Sequence, residues 1–284
     1  MSTGFSAPRS RFGTGGSARL SAVPLLCIAI LLAAAVLAIG APVIAPYGEG
    51  QIVTASFAEP SGAHWLGSDV LGRDVLSRII YGLRVTLVVG LGITFLGFTL
   101  GCLVGFLSAA VGRRVDQILS RLFDALISFP SMMIALVVIA GLGSSIPVMI
   151  ITVGLIDSTR VYRVARALAA DIVVRDFVEV ARLRGEGLGW VLFHEILPNT
   201  LGPLLAEFGI RFTYAILFIS ALSFLGLGVQ PPHSDLGLMV KENMQAIILG
   251  QFTPIYPALC IALITISVNL LVDWFIAASK RSRR

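Results

Sequence analysis

The stretch Val85-Thr-Leu-Val-Val-Gly-Leu-Gly-Ile-Thr-Phe-Leu-Gly-Phe-Thr-Leu-Gly-Cys-Leu-Val-Gly-Phe-Leu-Ser-Ala-Ala-Val111 is uncharged from end to end. A helix rises about 1.5 Å per residue, so roughly 20 apolar residues cross the hydrocarbon core of a bilayer, and this stretch suffices. Gly97, Gly101 and Gly105 recur every four residues, with Ala109 next. One face of the helix therefore lacks bulky side chains and admits a neighbouring backbone closely. Packing within the chain is the preferred reading of this stripe, ahead of a homodimer interface.

Working outward, six stretches have the length and apolarity to span: near 20–46, 85–111, 118–142, 145–165, 201–229 and 254–278. Of the 284 residues 56% are hydrophobic and 13% charged, with 29 glycines and a mean hydropathy of +0.92. Soluble domains carry about 25% charged residues, and a soluble fold has no means of hiding so much apolar surface. The fold class expected is an all-α polytopic membrane protein with about six transmembrane helices. The membrane domain covers 20–278, between an N-terminal tail at 1–19 and a basic C-terminal tail at 279–284. The run from Leu20 to Ala45 exceeds the roughly 7–15 residues of a signal-peptide core, so it reads as a retained span with Pro24 in its first turn. Pro130 and Pro147 lie within or at the start of apolar helices and should kink or begin them.

The net charge is +5 and the pI about 9.5, but the basic residues sit at segment ends rather than in a stripe interleaved with aromatics. That pattern excludes a nucleic-acid surface and sets orientation instead, because cytoplasmic loops near the membrane hold the excess of Lys and Arg. With the N-terminus inside, Arg9, Arg11 and Arg19, then Arg113, Arg114 and Arg121, the arginines from Arg160 to Arg184, and Lys280, Arg281, Arg283 and Arg284 all fall inside. Outside remain Arg73, Arg78, Arg84 and Lys241. Both termini and the 166–200 loop are thus expected in the cytoplasm, and the 47–84 and 230–253 segments outside. Cys27, Cys102 and Cys260 lie in apolar stretches without pairing or metal-ligand spacing.

The segment Asp176-Phe-Val-Glu-Val-Ala-Arg-Leu-Arg-Gly-Glu-Gly-Leu-Gly-Trp-Val-Leu-Phe-His-Glu-Ile-Leu-Pro-Asn199 is too polar to span and too apolar for a free linker. Phe177, Val180 and Ala181 are expected on one face of a short helix, which Gly185 and Gly187 break. Trp190, Val191, Phe193 and Leu197 supply an apolar face to a second helix. Pro198, Asn199 and Thr200 then stop it before the fifth span, whose first turn would hold Pro203.

These residues resemble the cytoplasmic signature of the ATP-binding-cassette importer permeases: Glu179-Val-Ala181, then Gly185, then Ile196-Leu197-Pro198 at the family's spacing. The resemblance implies a type I ABC importer permease fold and a coupling helix seated in a groove of an ATPase subunit. Glu179, Ala181, Gly185, Leu197 and Pro198 would belong to that joint, with small Ala181 at its tip. The chain departs from the pattern at Val180, Arg184 and Glu186. The competing reading is an amphipathic helix on the inner leaflet.

Two further blocks resemble the dipeptide, oligopeptide and nickel permeases, specifically the shorter of their two paired subunits. One is His64 to Leu87, where Leu71, Val75, Leu76, Ile79, Ile80 and Leu83 form an apolar stripe. There Asp69 with Arg73, and Asp74 with Arg78, stand four apart on the polar side, as in an interfacial helix leading into the second span. The other runs from Ala221 to Pro232, followed by Gly237, Pro257 and Asn269 to Asp273. Within the fifth span Glu207 and Arg211 are four apart and should pair. They either seal the bundle as a structural ion pair or line the pathway. Asp124 and Asp157 read as solvated or Arg-paired groups near cytoplasmic span ends.

No phosphate loop, His-Glu-x-x-His or Gly-x-Ser-x-Gly motif is present, and His64, His194 and His233 are isolated, which argues against an enzyme. A stand-alone carrier leaves the 166–200 loop without a purpose and shows no internal repeat. What the resemblance implies is alternating access. This chain and a related second permease subunit form the pathway, two ATP-binding subunits or domains hold ATP and magnesium, and an extracytoplasmic binding protein delivers cargo. The chain itself would carry no cofactor and no metal. Short peptides are the expected cargo, with nickel as the alternative. The orientation is open to a direct check: Ser61→Cys should react with an impermeant thiol reagent in intact cells and Glu186→Cys should not, the reverse pattern overturning it.

Overall fold

The computed structural model describes residues 22–282, with side chains through Ser279. The predicted tail at 1–19, Leu20, and the basic residues from Lys280 onward therefore lie outside what can be described of side chains. In chain order the helices are α1 (Ala22–Ile39), α2 (Ala41–Ile44), α3 (Val75–Val111), α4 (Arg113–Ser128), α5 (Ser131–Leu142) and α6 (Ile146–Val173). There follow α7 (Asp176–Leu183), α8 (Leu188–Trp190), a π-helical turn (Val191–Ile196), α9 (Leu197–Leu225), α10 (Leu236–Glu242) and α11 (Ile255–Ser282). The architecture among the described residues is helical, as lipid requires of a spanning chain that must satisfy its own backbone groups.

Four helical stretches are each long and apolar enough to cross a membrane: Ala22–Ile39, Val75–Val111, Leu188–Leu225 and Ile255–Ser279. The predicted third span is not one straight helix. It breaks at Phe129-Pro130, where α4 and α5 meet at 81°, since proline has no N–H for the helical ladder and disfavours a helical residue before it. Counted as one, the bent pair makes a fifth span. The fourth expected span, α6, has 28 residues, but Asp157, Arg160, Arg163 and Arg166 interrupt its apolarity.

α3 and α6 form the central pair of the bundle. A Cβ on Gly97 would stand 2.8 Å from the Gly154 carbonyl oxygen, and on Gly101 2.6 Å from Val161 Cβ and 2.7 Å from the Ser158 carbonyl oxygen. On Gly105 it would stand 2.9 Å from both Ala165 Cβ and the Tyr162 carbonyl oxygen. The stripe thus brings two backbones together along three turns. Around this pair, Val89, Ile93, Ala135, Ile139 and Ile219 join α5 and α9 to α3 and α6. Val75, Ile79, Leu83, Ile216, Ile264 and Val268 bring in α9 and α11.

The 64–74 stretch, expected to begin an interfacial helix, is irregular; the helix starts only at Val75, capped by the Asp74 carboxylate, which accepts from the Ser77 N–H at 2.8 Å. The expected polar side is in fact buried. Asp69 accepts from Arg73 Nε and from Arg78 Nη1, each at 2.6 Å, and Arg78 Nη1 also reaches Glu242 at 2.8 Å. Arg78 therefore pairs with Asp69 and Glu242 rather than with Asp74, whose Oδ2 serves the cap and whose Oδ1 stands 3.2 Å from His64 Nδ1. Glu242 ends α10, so this cluster ties the segment before α3 to the loop before α11. α10 is capped in turn by Asp235, which accepts from the Leu238 N–H at 2.9 Å. Burial pushes the Asp235 carboxyl up to about 6, so the charged form of this cap is held above that pH.

Replacing Gly101 by leucine forces α3 and α6 apart. Gly101→Leu should lower the apparent melting temperature of the purified complex by at least about 5 °C, given overpacking costs of roughly 1–3 kcal/mol. Gly141→Leu, at a helix position with nothing within 4 Å of the added Cβ, serves as the tolerated control. Equal melting of the two variants and the parent would remove the packing role of the stripe.

Candidate functional site

Two regions combine unusual chemistry with defined geometry: the α7–α8 projection, and a set of charges between α6 and α9. In the projection, α7 is fastened from inside. Val178 and Ala181, one turn apart, are both 0% exposed, and Val178 packs in a cluster with Val191, Leu192 and Ile196, together with Phe106 of α3 and Ala165, Ala169 and Ile172 of α6. Arg182 Nη2 donates to the Ala110 carbonyl at 3.2 Å, fastening α7 to the end of α3. The helix ends where Gly185 takes φ +84, its N–H donating to the Arg182 carbonyl and that of Glu186 to the Ala181 carbonyl. That left-handed turn is one a glycine adopts freely.

This geometry corrects the expected face. Phe177, Val180 and Ala181 do not share it: Ala181 points into the chain, and Phe177, Val180 and Leu183 point out, 40%, 51% and 81% exposed. Ala181 is thus a packing residue at the root of the helix rather than its tip. Glu179 and Gly185 are exposed beside the outward face, Leu197 is half-buried against the inner cluster, and Pro198 is exposed. Trp190 and Phe193 continue the exposed apolar surface, with the Trp190 ring stacked on His194 at 3.9 Å between centroids.

Nor do Pro198, Asn199 and Thr200 stop the second helix. The chain stays helical from Leu188 to Leu225, because the π turn over Val191–Ile196 precedes Pro198 and shifts the hydrogen-bond register; the Leu197 N–H donates to the Leu192 carbonyl. Pro203, expected in a first turn, accordingly lies inside α9.

Deeper in the bundle, Arg211 Nε donates to Glu207 Oε1 at 2.6 Å, and its Nη1 stands 3.4 Å from Asp157 Oδ1. Asp157 is buried, not solvated. One turn on, the Arg160 guanidinium lies 4.5 Å from the centroid of the Tyr214 ring and its Nη2 donates to Ser131 Oγ at 3.2 Å. Charges within the membrane normally face protein or a water-filled space, and all four groups here obey that rule. Asp124 pairs with Arg163 at 2.8 Å on an exposed flank. A further cluster was not singled out from sequence: Asp116 of α4 with Arg166 of α6, bridged through Ser108 to Tyr162, on which Phe123 stacks at 4.0 Å. The polar run Asp157-Ser-Thr-Arg160 inside an apolar stretch was the available signal for the inner charges.

Residues 97–284 match the family described as binding-protein-dependent transport system inner membrane component. The chain is 35% identical over 218 residues to a dipeptide transport system permease protein of Alkalihalophilus pseudofirmus, covering 75% of this chain and 70% of that one. It is 34% identical over 214 residues to a glutathione transport system permease protein of Pectobacterium atrosepticum, covering 75% and 71%. A dipeptide transport system permease protein of Haemophilus influenzae is 32% identical over 256 residues, covering 88% and 87%. With about two thirds of its length inside one family and relatives 32–35% identical over 75–88% of it, the chain belongs to the binding-protein-dependent transport system inner membrane components.

Proposed function

We propose that this chain is a non-catalytic permease subunit of an ATP-binding-cassette importer of short peptides. A related second permease completes the pathway. Two ATP-binding subunits or domains, which hold ATP and magnesium, drive it from the cytoplasm, and an extracytoplasmic binding protein loads it. The dipeptide and glutathione systems to which the relatives belong support peptides over nickel as cargo. The distribution of Lys and Arg supports cytoplasmic termini and a cytoplasmic 166–200 loop.

The observation that carries the coupling role is the outward apolar face of α7, set on an inward face that is fully packed. Apolar residues on an extramembrane projection favour a protein partner, and a helix rooted in α3, α6 and the π turn can pass a displacement on to the spans. Glu179 and Gly185 flank that face, and Leu197 and Pro198 belong to its root. Movement of the ATPase pair then alternates the pathway between outward and inward openings.

Two neighbouring substitutions separate contact from packing. Val180→Asp places a charge on the outward face; the variant should insert, pair with its companion permease, lose co-purification of the ATPase and lower ATP-driven dipeptide uptake in proteoliposomes at least tenfold. Ala181→Asp instead buries an unpaired charge inside the chain, a costly change, and should reduce the yield of folded subunit itself. If Val180→Asp retained both ATPase association and uptake, the inner leaflet would be the better partner for this face.

A further inference from the structure

α6 presents two unlike faces. Gly154, Ser158, Val161 and Ala165 meet the glycine stripe of α3, while an adjoining flank, which shares Ser158, lines a cavity of about 520 Å³ between α4, α5 and α6. Phe123, Phe129, Ile134 and Leu155 give that cavity apolar walls, and Arg160 is the single charged residue lining it. The bend at Pro130 creates the space: by turning α5 away from α4 at 81°, it leaves the two helices as separate walls and sets Ser131, the first residue of α5, at the cavity beside Arg160.

Arg160 stands midway along α6, about 21 Å from either end at 1.5 Å per residue. The Tyr214 ring and Ser131 Oγ hold it, but no carboxylate of the described residues lies within salt-bridge distance. Its Nη1 is buried and has no hydrogen-bond partner. The nearer acid, Asp157, turns its Oδ1 to Arg211 at 3.4 Å, and its Oδ2 is buried without a hydrogen-bond partner. The hydroxyls of Ser158 and Thr159 are already spent on the Leu155 and Ile156 carbonyls. A guanidinium kept in an apolar cavity, positioned by a ring and a hydroxyl yet short of an anion, is complementary to a carboxylate carried on an apolar body.

We infer that this cavity is the transit site for the transported peptide, with Arg160 taking its C-terminal carboxylate and the Phe123 and Phe129 side receiving an apolar side chain. The inference rests on the peptide-importer reading and adds to it a recognition element inside the membrane domain, separate from the binding protein. Its volume lies within the range of small-molecule sites, so it accommodates a short peptide rather than a long one.

The test uses the complete importer in proteoliposomes, with one dipeptide supplied either as the free acid or as the C-terminal amide, each at a concentration that saturates the binding protein. The parent should import the acid at least tenfold faster than the amide. Arg160→Gln should bring that ratio to about one, and Arg160→Lys should restore part of it. Parent importer that moves acid and amide equally fast overturns the site without recourse to any variant, so a folding defect in Arg160→Gln does not shield it. A preference unchanged in Arg160→Gln also overturns it; if mass spectrometry then finds a phospholipid on the parent that the variant has lost, the cavity belongs to lipid. Parent that imports neither form overturns the peptide reading and the site with it.

Discussion

The close contact of α3 with α6 is the constraint on which the rest of the molecule depends. In lipid, helices gain little from burying apolar side chains, so attraction comes from close van der Waals packing, and three glycines in register make that packing possible. The contact does more than hold two helices. Its end beyond Gly105 carries the cluster that roots α7, and another flank of α6 is free to wall the cavity. Widening it by one side chain would therefore disturb the projection and the cavity together.

Charge is handled differently at the two levels of the bundle. On the side assigned to the exterior, Asp69, Arg73, Arg78 and Glu242 share a buried network whose members come from segments far apart in sequence, so it acts as a clasp between two loops. Between α6 and α9 the arrangement is sparser: Glu207 and Arg211 satisfy one another, Asp157 leans on Arg211, and Arg160 is left with an aromatic face and a hydroxyl. Breaking a buried pair by removing one partner is costly, so the two levels differ in how far each charge depends on its neighbours.

Much of this was legible in the sequence because spacing encodes it. The period of four at Gly97, Gly101 and Gly105 identified the contact face, and Pro130 marked a break in the third span without giving its angle. The orientation of α7 was not legible. Eight residues make little more than two turns, and with apolar residues at 177, 178, 180, 181 and 183 several faces satisfy the same pattern; only the surrounding cluster decides that Val178 and Ala181 turn inward. The partner of Arg78 was equally hidden. A spacing of four favours Asp74 when both residues are helical, but Asp74 is the cap, and Glu242 is remote in sequence. The π turn that carries the helix through Pro198 has no sequence signal of its own; proline ordinarily reads as a stop.

The unbroken helix from Leu188 to Leu225 has 38 residues, or about 57 Å at 1.5 Å per residue. It begins at the projection, passes Glu207 and Arg211, and ends at Gly226, against whose backbone the Lys241 side chain of α10 lies. Near its middle Gly209 lets Val272 of α11 press against the backbone. The projection and the Gly226 end are thus joined by one continuous rod, so a displacement applied at either tip is carried along the same backbone past Glu207 and Arg211.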